Sequence, residues 1–245
     1  MLTQTTVSSP ERVRPWRPGI WRVQIPRGRR VMAGVTDRHA DLDTLRARLP
    51  TRWHLILAEQ IHGASVAAIE TPPSSSDPIP GCDGLITRLP GLALVMRTAD
   101  CLPILLWDPV QQVVGAAHVG WRGLDKQLPM RLVQWAQACY QSRPEDLWVS
   151  IGPAIRSCCY EVGRDFVPRF GPFVQEAAGR VTCDLIGCAS RQLVSTGVRP
   201  THVVDSGLCT ACDAQRCTRS VENPRPRGGC FHSLRCVLKR VISDQ

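Results

Sequence analysis

The sequence predicts an α/β chain that mixes short buried strands with amphipathic helices, and three observations carry that expectation. Apolar runs of strand length, "GLALVMR" at 91–97, "PILLWD" at 103–108 and "VVGAAHV" at 113–119, are bounded by Gly, Pro or Asp. That is the pattern of strands covered on both faces. Directly after them, Trp121, Leu124, Leu128, Leu132, Trp135 and Cys139 recur at intervals of three and four, which gathers them on one helical face. The composition, 43% hydrophobic against 21% charged over 245 residues, suits the core of one large domain or two small ones.

The other elements follow in chain order. Residues 1–30 are rich in Pro and Arg and read as a loose arm that ends in a short strand near "WRVQI". "DTLRARL", 43–49, has helical spacing. "HLILAEQIHGASVAAIE" alternates and reads as two short strands around a turn at Gly63. "TPPSSSDPIPG", 71–81, is a loop by composition. Beyond the 121–140 helix come a strand at "LWVSIG", a loop through "PAIRSCCYEVG", helices over 164–178 and 183–196, and a last short strand at "HVVDSG".

The net charge of +9 invites a nucleic-acid reading until it is mapped. Residues 1–30 carry seven Arg against one Glu, residues 216–240 carry seven Arg or Lys against one Glu, and the region between is slightly negative. Basic ends are more often solvated than bound, so nucleic acid is not expected as a partner. No run of about 18 consecutive apolar residues occurs, so no membrane span is expected. The N-terminus has no apolar leader, which makes the cytoplasm the default expectation. In that setting twelve cysteines read as thiols or metal ligands before disulfides.

His62, Cys101 and His118 each stand at the edge of a predicted strand beside a turn-former: Gly63, Asp100 and Gly120. Strand ends can deliver side chains to one pocket even though the chain separates them by 39 and 17 residues. A thiolate and two imidazoles suit Zn²⁺, and three protein ligands leave the fourth position that marks a catalytic site. Two other readings stay open on spacing alone. Cys101 can be a small buried hydrophobe, or a nucleophile with His118 as its base.

"EQIHGASV", "CDGLIT", "GLALVMRTADCLPILLWD", "VVGAAHVGWRGL" and "IGPAIRSCCYEVG", in that order, resemble the bacterial laccase-domain family, whose members are described as polyphenol oxidases and as purine nucleoside phosphorylases. "GVTDR" at 34–38 looks like the family's early arginine element, with Arg38 on the arginine, and "CT" at 209–210 looks like its late Cys-Thr pair. The resemblance implies His62, Cys101 and His118 as metal ligands. It also implies a single α/β domain, an α+β sandwich similar to the catalytic domain of cytotoxic necrotizing factor. On this division, 1–30 is a basic arm with a first strand, 31–210 the catalytic domain, and 211–245 a divergent tail.

A true multicopper site needs many imidazoles, and this chain has six histidines and no His-x-His pair. A single copper at the Cys-His-His set remains compatible with the ligands. The resemblance further implies phosphorolysis of purine nucleosides, with adenosine deamination and methylthioadenosine cleavage in the same family. Phosphate then needs an arginine fork, for which Arg122 and Arg38 are the candidates. Arg122 stands at the predicted start of the 121–140 helix, where free N–H groups favour an anion. Asp100 is placed to orient water or move protons, or simply to cap a turn. Gln60 is placed to bond substrate or to support His62.

Two cysteine groups complete the reading. Cys158 and Cys159 are adjacent, so in a strand they point opposite ways and are taken as structural. After Cys209 and Thr210 the family's Phe-Phe-Ser-x-Arg-Arg and Thr-Gly-Arg elements do not follow, and "FHSLR" at 231–235 is only a distant echo. Cys209, Cys212, Cys217 and Cys230 begin with a Cys-x2-Cys arm but lack a matching second arm.

Overall fold

A computed structural model describes residues 13–17, 20–23, 31–36, 42–51, 53–212 and 234–240. Arg38, Cys217 and Cys230 lie outside the described residues. Among the described residues the strands form two six-stranded sheets. The first contains β1 (Val13–Arg17), β2 (Ile20–Val23), β3 (Val31–Thr36), β4 (His54–Leu57), β7 (Leu92–Thr98) and β14 (Leu234–Arg240), in the order β1-β2-β3-β14-β7-β4. The second contains β5 (Val66–Ala68), β6 (Gly84–Thr87), β8 (Leu102–Asp108), β9 (Val113–Val119), β10 (Trp148–Ile151) and β13 (Val203–Asp205), in the order β13-β10-β8-β9-β6-β5. In both sheets most neighbours run antiparallel, with parallel pairs toward the edges at β4·β7, β5·β6 and β10·β13. The chain is thus a single-domain mixture of sheets and a few helices.

The two sheets pack face to face, and the side-chain alternation of the central strands shows it. Leu92, Leu94 and Met96 of β7 meet Leu105 and Trp107 of β8 and Val114 and Ala116 of β9 between the sheets. Ala93 and Val95 point the other way, toward Leu45 and Leu49 at the helix α1 (Leu42–Arg48). Ile104, Leu106, Val113 and Ala117 turn outward beneath α3 (Leu128–Tyr140) and α5 (Leu185–Ser195). The layers therefore run helix, sheet, sheet, helix. β8 and β9 are buried at every position, which is why they read as unbroken apolar runs and not as alternating ones.

Two helices differ from the sequence expectation, each for a reason visible in the residues. The 121–140 helix is broken into α2 (Trp121–Asp125) and α3, with Gln127 left-handed at φ 61° between them. Pro129 has no N–H to give Asp125 and its ring would strike that carbonyl, so it is accommodated only in the first turn of a new helix. The anion-binding start of a long helix is therefore not present, since α2 has five residues.

The 164–178 helix is also replaced. A 3-10 turn, the four-residue α4 (Val167–Phe170) and a second 3-10 turn lead into a hairpin of β11 (Val174–Ala177) and β12 (Arg180–Cys183). Pro168, Gly171 (φ 45°) and Pro172 interrupt any continuous helix, and Ala178 and Gly179 both take positive φ at the hairpin turn. α5 starts where Asp184 accepts the Gly187 N–H at 3.0 Å.

β14 lies within the stretch that the sequence sets apart as a divergent tail, yet it runs between β3 and β7, antiparallel to both. No helix among the described residues is long and apolar enough to cross a membrane.

Candidate metal centre

β8 begins and β9 ends at the same end of the second sheet, because Leu102 pairs with Val119 and Pro103 with His118. That register puts Cys101, one residue ahead of β8, beside Gly120, one residue past β9. The approach is close: a Cβ on Gly120 would lie 3.0 Å from the Cys101 Sγ and 3.5 Å from the His62 ring. His62 arrives from the loop between β4 and β5. One ligand atom from each of His62, Cys101 and His118 falls within 4.8 Å of the others, and the two imidazoles meet edge to face at 4.8 Å between centroids. The structure brings the three sequence-predicted ligands together.

What orders the two histidines is Asp83, a residue to which the sequence reading assigned no role. It precedes β6, is 0% exposed, and its carboxylate accepts the His62 N–H (3.0 Å), the Gly63 N–H (2.6 Å) and His118 Nδ1 (2.9 Å). Its backbone carbonyl also accepts the His118 N–H at 2.8 Å. With Nδ1 held by a carboxylate, Nε2 is the His118 nitrogen left to coordinate. The signal in the sequence is a charged residue, in "CDGLIT", at the border of a wholly buried strand.

The electrostatics follow from that burial. His118 is 4% exposed. Burial alone would lower its pKa, but Asp83 and then Cys101 outweigh it and push it up to about 9. Burial likewise opposes the charge on Asp83, yet His118 and the N–H groups of Gly63 and His62 hold its carboxyl below the ordinary range. The His62 pKa is lowered, by burial first and then by the His118 charge, with Arg122 adding to it.

The remaining candidates surround this centre in different ways. Gln60 does not project freely: its Nε2 donates to the Arg97 carbonyl (2.6 Å) and its Oε1 accepts the Arg97 N–H (2.8 Å). That clamp fixes a loop in which Gln60 (φ 64°) and His62 (φ 57°) are both left-handed, a conformation held at a cost of about 1 kcal/mol or more per residue. Asp100 accepts the Thr210 hydroxyl at 2.7 Å, while its carbonyl takes the Ile155 N–H at 2.9 Å. Arg122 is exposed and lies over the Trp121 ring at 4.4 Å. Tyr160, also without a role in the sequence reading, is close enough to feel Cys101, Arg122 and Asp100; burial first, then the Cys101 charge, push its hydroxyl up to about 12.

The donor set fits a metal. Two imidazoles and a thiolate, one imidazole braced by a buried carboxylate, make a three-ligand set of the kind that catalytic metal sites use. The pair reading, with Cys101 as nucleophile and His118 as base, explains neither His62 nor the bracing of both histidines by one carboxylate.

Comparison with known proteins agrees with the fold and with the family. Residues 31–217 match the family model described as multi-copper polyphenol oxidoreductase laccase. A protein named purine nucleoside phosphorylase YlmD, from Geobacillus stearothermophilus, is 32% identical over 201 residues, 73% of either chain. A protein from an unidentified prokaryote named adenosine deaminase RL5 is 30% identical over 175 residues, 65% of this chain and 66% of its own. The crystal structure of YlmD from Geobacillus stearothermophilus superposes with a TM-score of 0.84 at 26% identity, covering 95% of this chain and 100% of that one. A Bacillus licheniformis protein called YfiH shares the fold at a TM-score of 0.81 and 22% identity, over 94% of this chain and 99% of its own. With a motif order, a two-sheet fold and a family match that span most of its length, this chain belongs to the multi-copper polyphenol oxidoreductase laccase family.

Proposed function

We propose that the chain is a zinc-dependent enzyme of purine nucleosides, cleaving adenosine or inosine with phosphate. The observation that carries this reading is the convergence of His62, Cys101 and His118 on one point, braced by Asp83, in a chain whose relatives bear the names of nucleoside enzymes. The three ligands would hold the ion, which when bound supplies Lewis-acid polarisation of whatever group takes the fourth position. Asp83 fixes the His118 tautomer. Arg122, exposed and stacked on Trp121, offers its fork to phosphate, and Arg38 is the second arginine proposed for that role. Asp100, held by Thr210, is placed to move a proton beside Cys101. Methylthioadenosine cleavage and adenosine deamination belong to the same proposal as further activities.

A nucleoside panel run with and without phosphate tests it. Free purine is expected from adenosine or inosine only with phosphate present, and Cys101→Ala should abolish that release. Metal-loaded protein that turns over no purine nucleoside under either condition refutes the reading. Phenol oxidation that rises with bound copper and vanishes in Cys101→Ala would instead favour copper oxidase chemistry at the same three ligands.

A further inference from the structure

A second group of metal-ligating atoms lies outside that centre. Cys158 and Cys159 sit in the turn that follows β10, where Cys159 and Tyr160 both donate their N–H to the Arg156 carbonyl (2.9 and 2.8 Å). Cys209 and Cys212 form a Cys-x2-Cys turn, docked on the same loop by the Thr210 N–H to Ala154 carbonyl bond at 3.1 Å. The four Sγ atoms all fall within 4.8 Å of one another. Cys158 approaches Cys209 at 3.7 Å and Cys212 at 3.5 Å, and Cys159 approaches Cys212 at 3.2 Å. The expectation that adjacent cysteines diverge does not hold, because they occupy a tight turn and not a strand.

We infer that Cys158, Cys159, Cys209 and Cys212 form a second metal site, a tetrathiolate that takes zinc or a similarly soft divalent ion. Four sulfurs about 2.3 Å from a central ion stand roughly 3.8 Å apart in a tetrahedron, close to the separations here. The contacts are also shared: Cys158 approaches two sulfurs and so does Cys212, which is a cluster and not two isolated pairs. The shortest separation far exceeds the S–S bond length of about 2.05 Å. An ion here would staple the turn after β10 to the Cys209–Cys212 turn. Thr210, inside that turn, holds Asp100 next to Cys101, so the staple would also set one wall of the first centre. The inference stands whether or not the nucleoside reading holds.

Metal counting and cobalt spectroscopy on the full chain, purified under a non-thiol reductant, test it. Two ions per chain are expected. Cobalt-loaded Cys101→Ala should keep one ion and the intense visible bands of tetrahedral thiolate coordination. Added to Cys101→Ala, Cys159→Ser and Cys212→Ser should each lose that ion and those bands. X-ray absorption on zinc-loaded Cys101→Ala should show only sulfur neighbours, at about 2.3 Å. One ion per wild-type chain, with nitrogen neighbours in its X-ray absorption, overturns the proposal even if a variant fails to fold. So do thiolate bands that survive Cys212→Ser in the Cys101→Ala background, or intact masses showing disulfides among the four cysteines in zinc-loaded protein.

Discussion

Asp83 is the residue on which the candidate centre turns, because one buried carboxylate fixes two of the three ligands at once. Asp83→Asn keeps the shape but weakens the hold on His118, and metal affinity should fall about 10–100-fold, read by competition with a chromogenic chelator. Unchanged affinity would show that His118 is oriented by packing alone. Gln60 separates two roles in the same way. Its amide is spent on the Arg97 backbone, so Gln60→Ala should cost about 1–2 kcal/mol of stability and weaken metal binding, with KM little changed. A rise in KM at full metal affinity would restore the substrate contact that the sequence suggests. The three candidate ligands were suggested by their strand-end positions and singled out by the family resemblance, and the structure brings them together. Asp83 was not singled out, because the hydrogen bonds it accepts come from one loop and a distant strand and leave no periodic trace.

Among the elements, the apolar runs announced β7, β8 and β9 with nearly their observed limits, since burial on both faces imposes a continuous hydrophobic code. The 121–140 helix was half legible: the spacing is real, but Pro129 resets the helix and its effect depends on one missing N–H. β14 was illegible for a different reason. Its pairing partners β3 and β7 are far away in sequence, and its flanks are rich in Arg, Cys and Gly, so only long-range pairing identifies it. Ending the chain after residue 233 would leave β3 and β7 with unpaired facing edges. Such a truncation should aggregate, seen as lost soluble yield and as light scattering. A monodisperse truncated protein with the wild-type Tm would mean that β3 and β7 pair without it.

Across the whole molecule, the nine cysteines whose side chains are described sort by layer. Those in the core are inert thiols: burial pushes Cys82 and Cys188 up to about 11 and Cys183 up to about 12. At pH 8 their thiolate fractions are on the order of one in a thousand or less. Iodoacetamide should therefore label exposed Cys139 and spare these three, as peptide mass spectrometry would show. Rapid labelling of Cys82 would mean that the space between the sheets opens on the time scale of the reaction. The count of cysteines thus said little by itself. Their distribution between core, sheet end and surface turn is set by the fold, and the two candidate metal groups appear only once loops distant in sequence are brought together.

The position of β14 also bears on how the protein is made. Ribosomal synthesis delivers His62, Asp83, Cys101 and His118, together with every strand of the second sheet, before the chain reaches Leu234. The first sheet cannot close until that last strand threads between β3 and β7. A nascent chain therefore holds the makings of its metal centre while the apolar face that will cover the neighbouring sheet is still incomplete. Its period of greatest exposure to misfolding lasts until residues 234–240 are made.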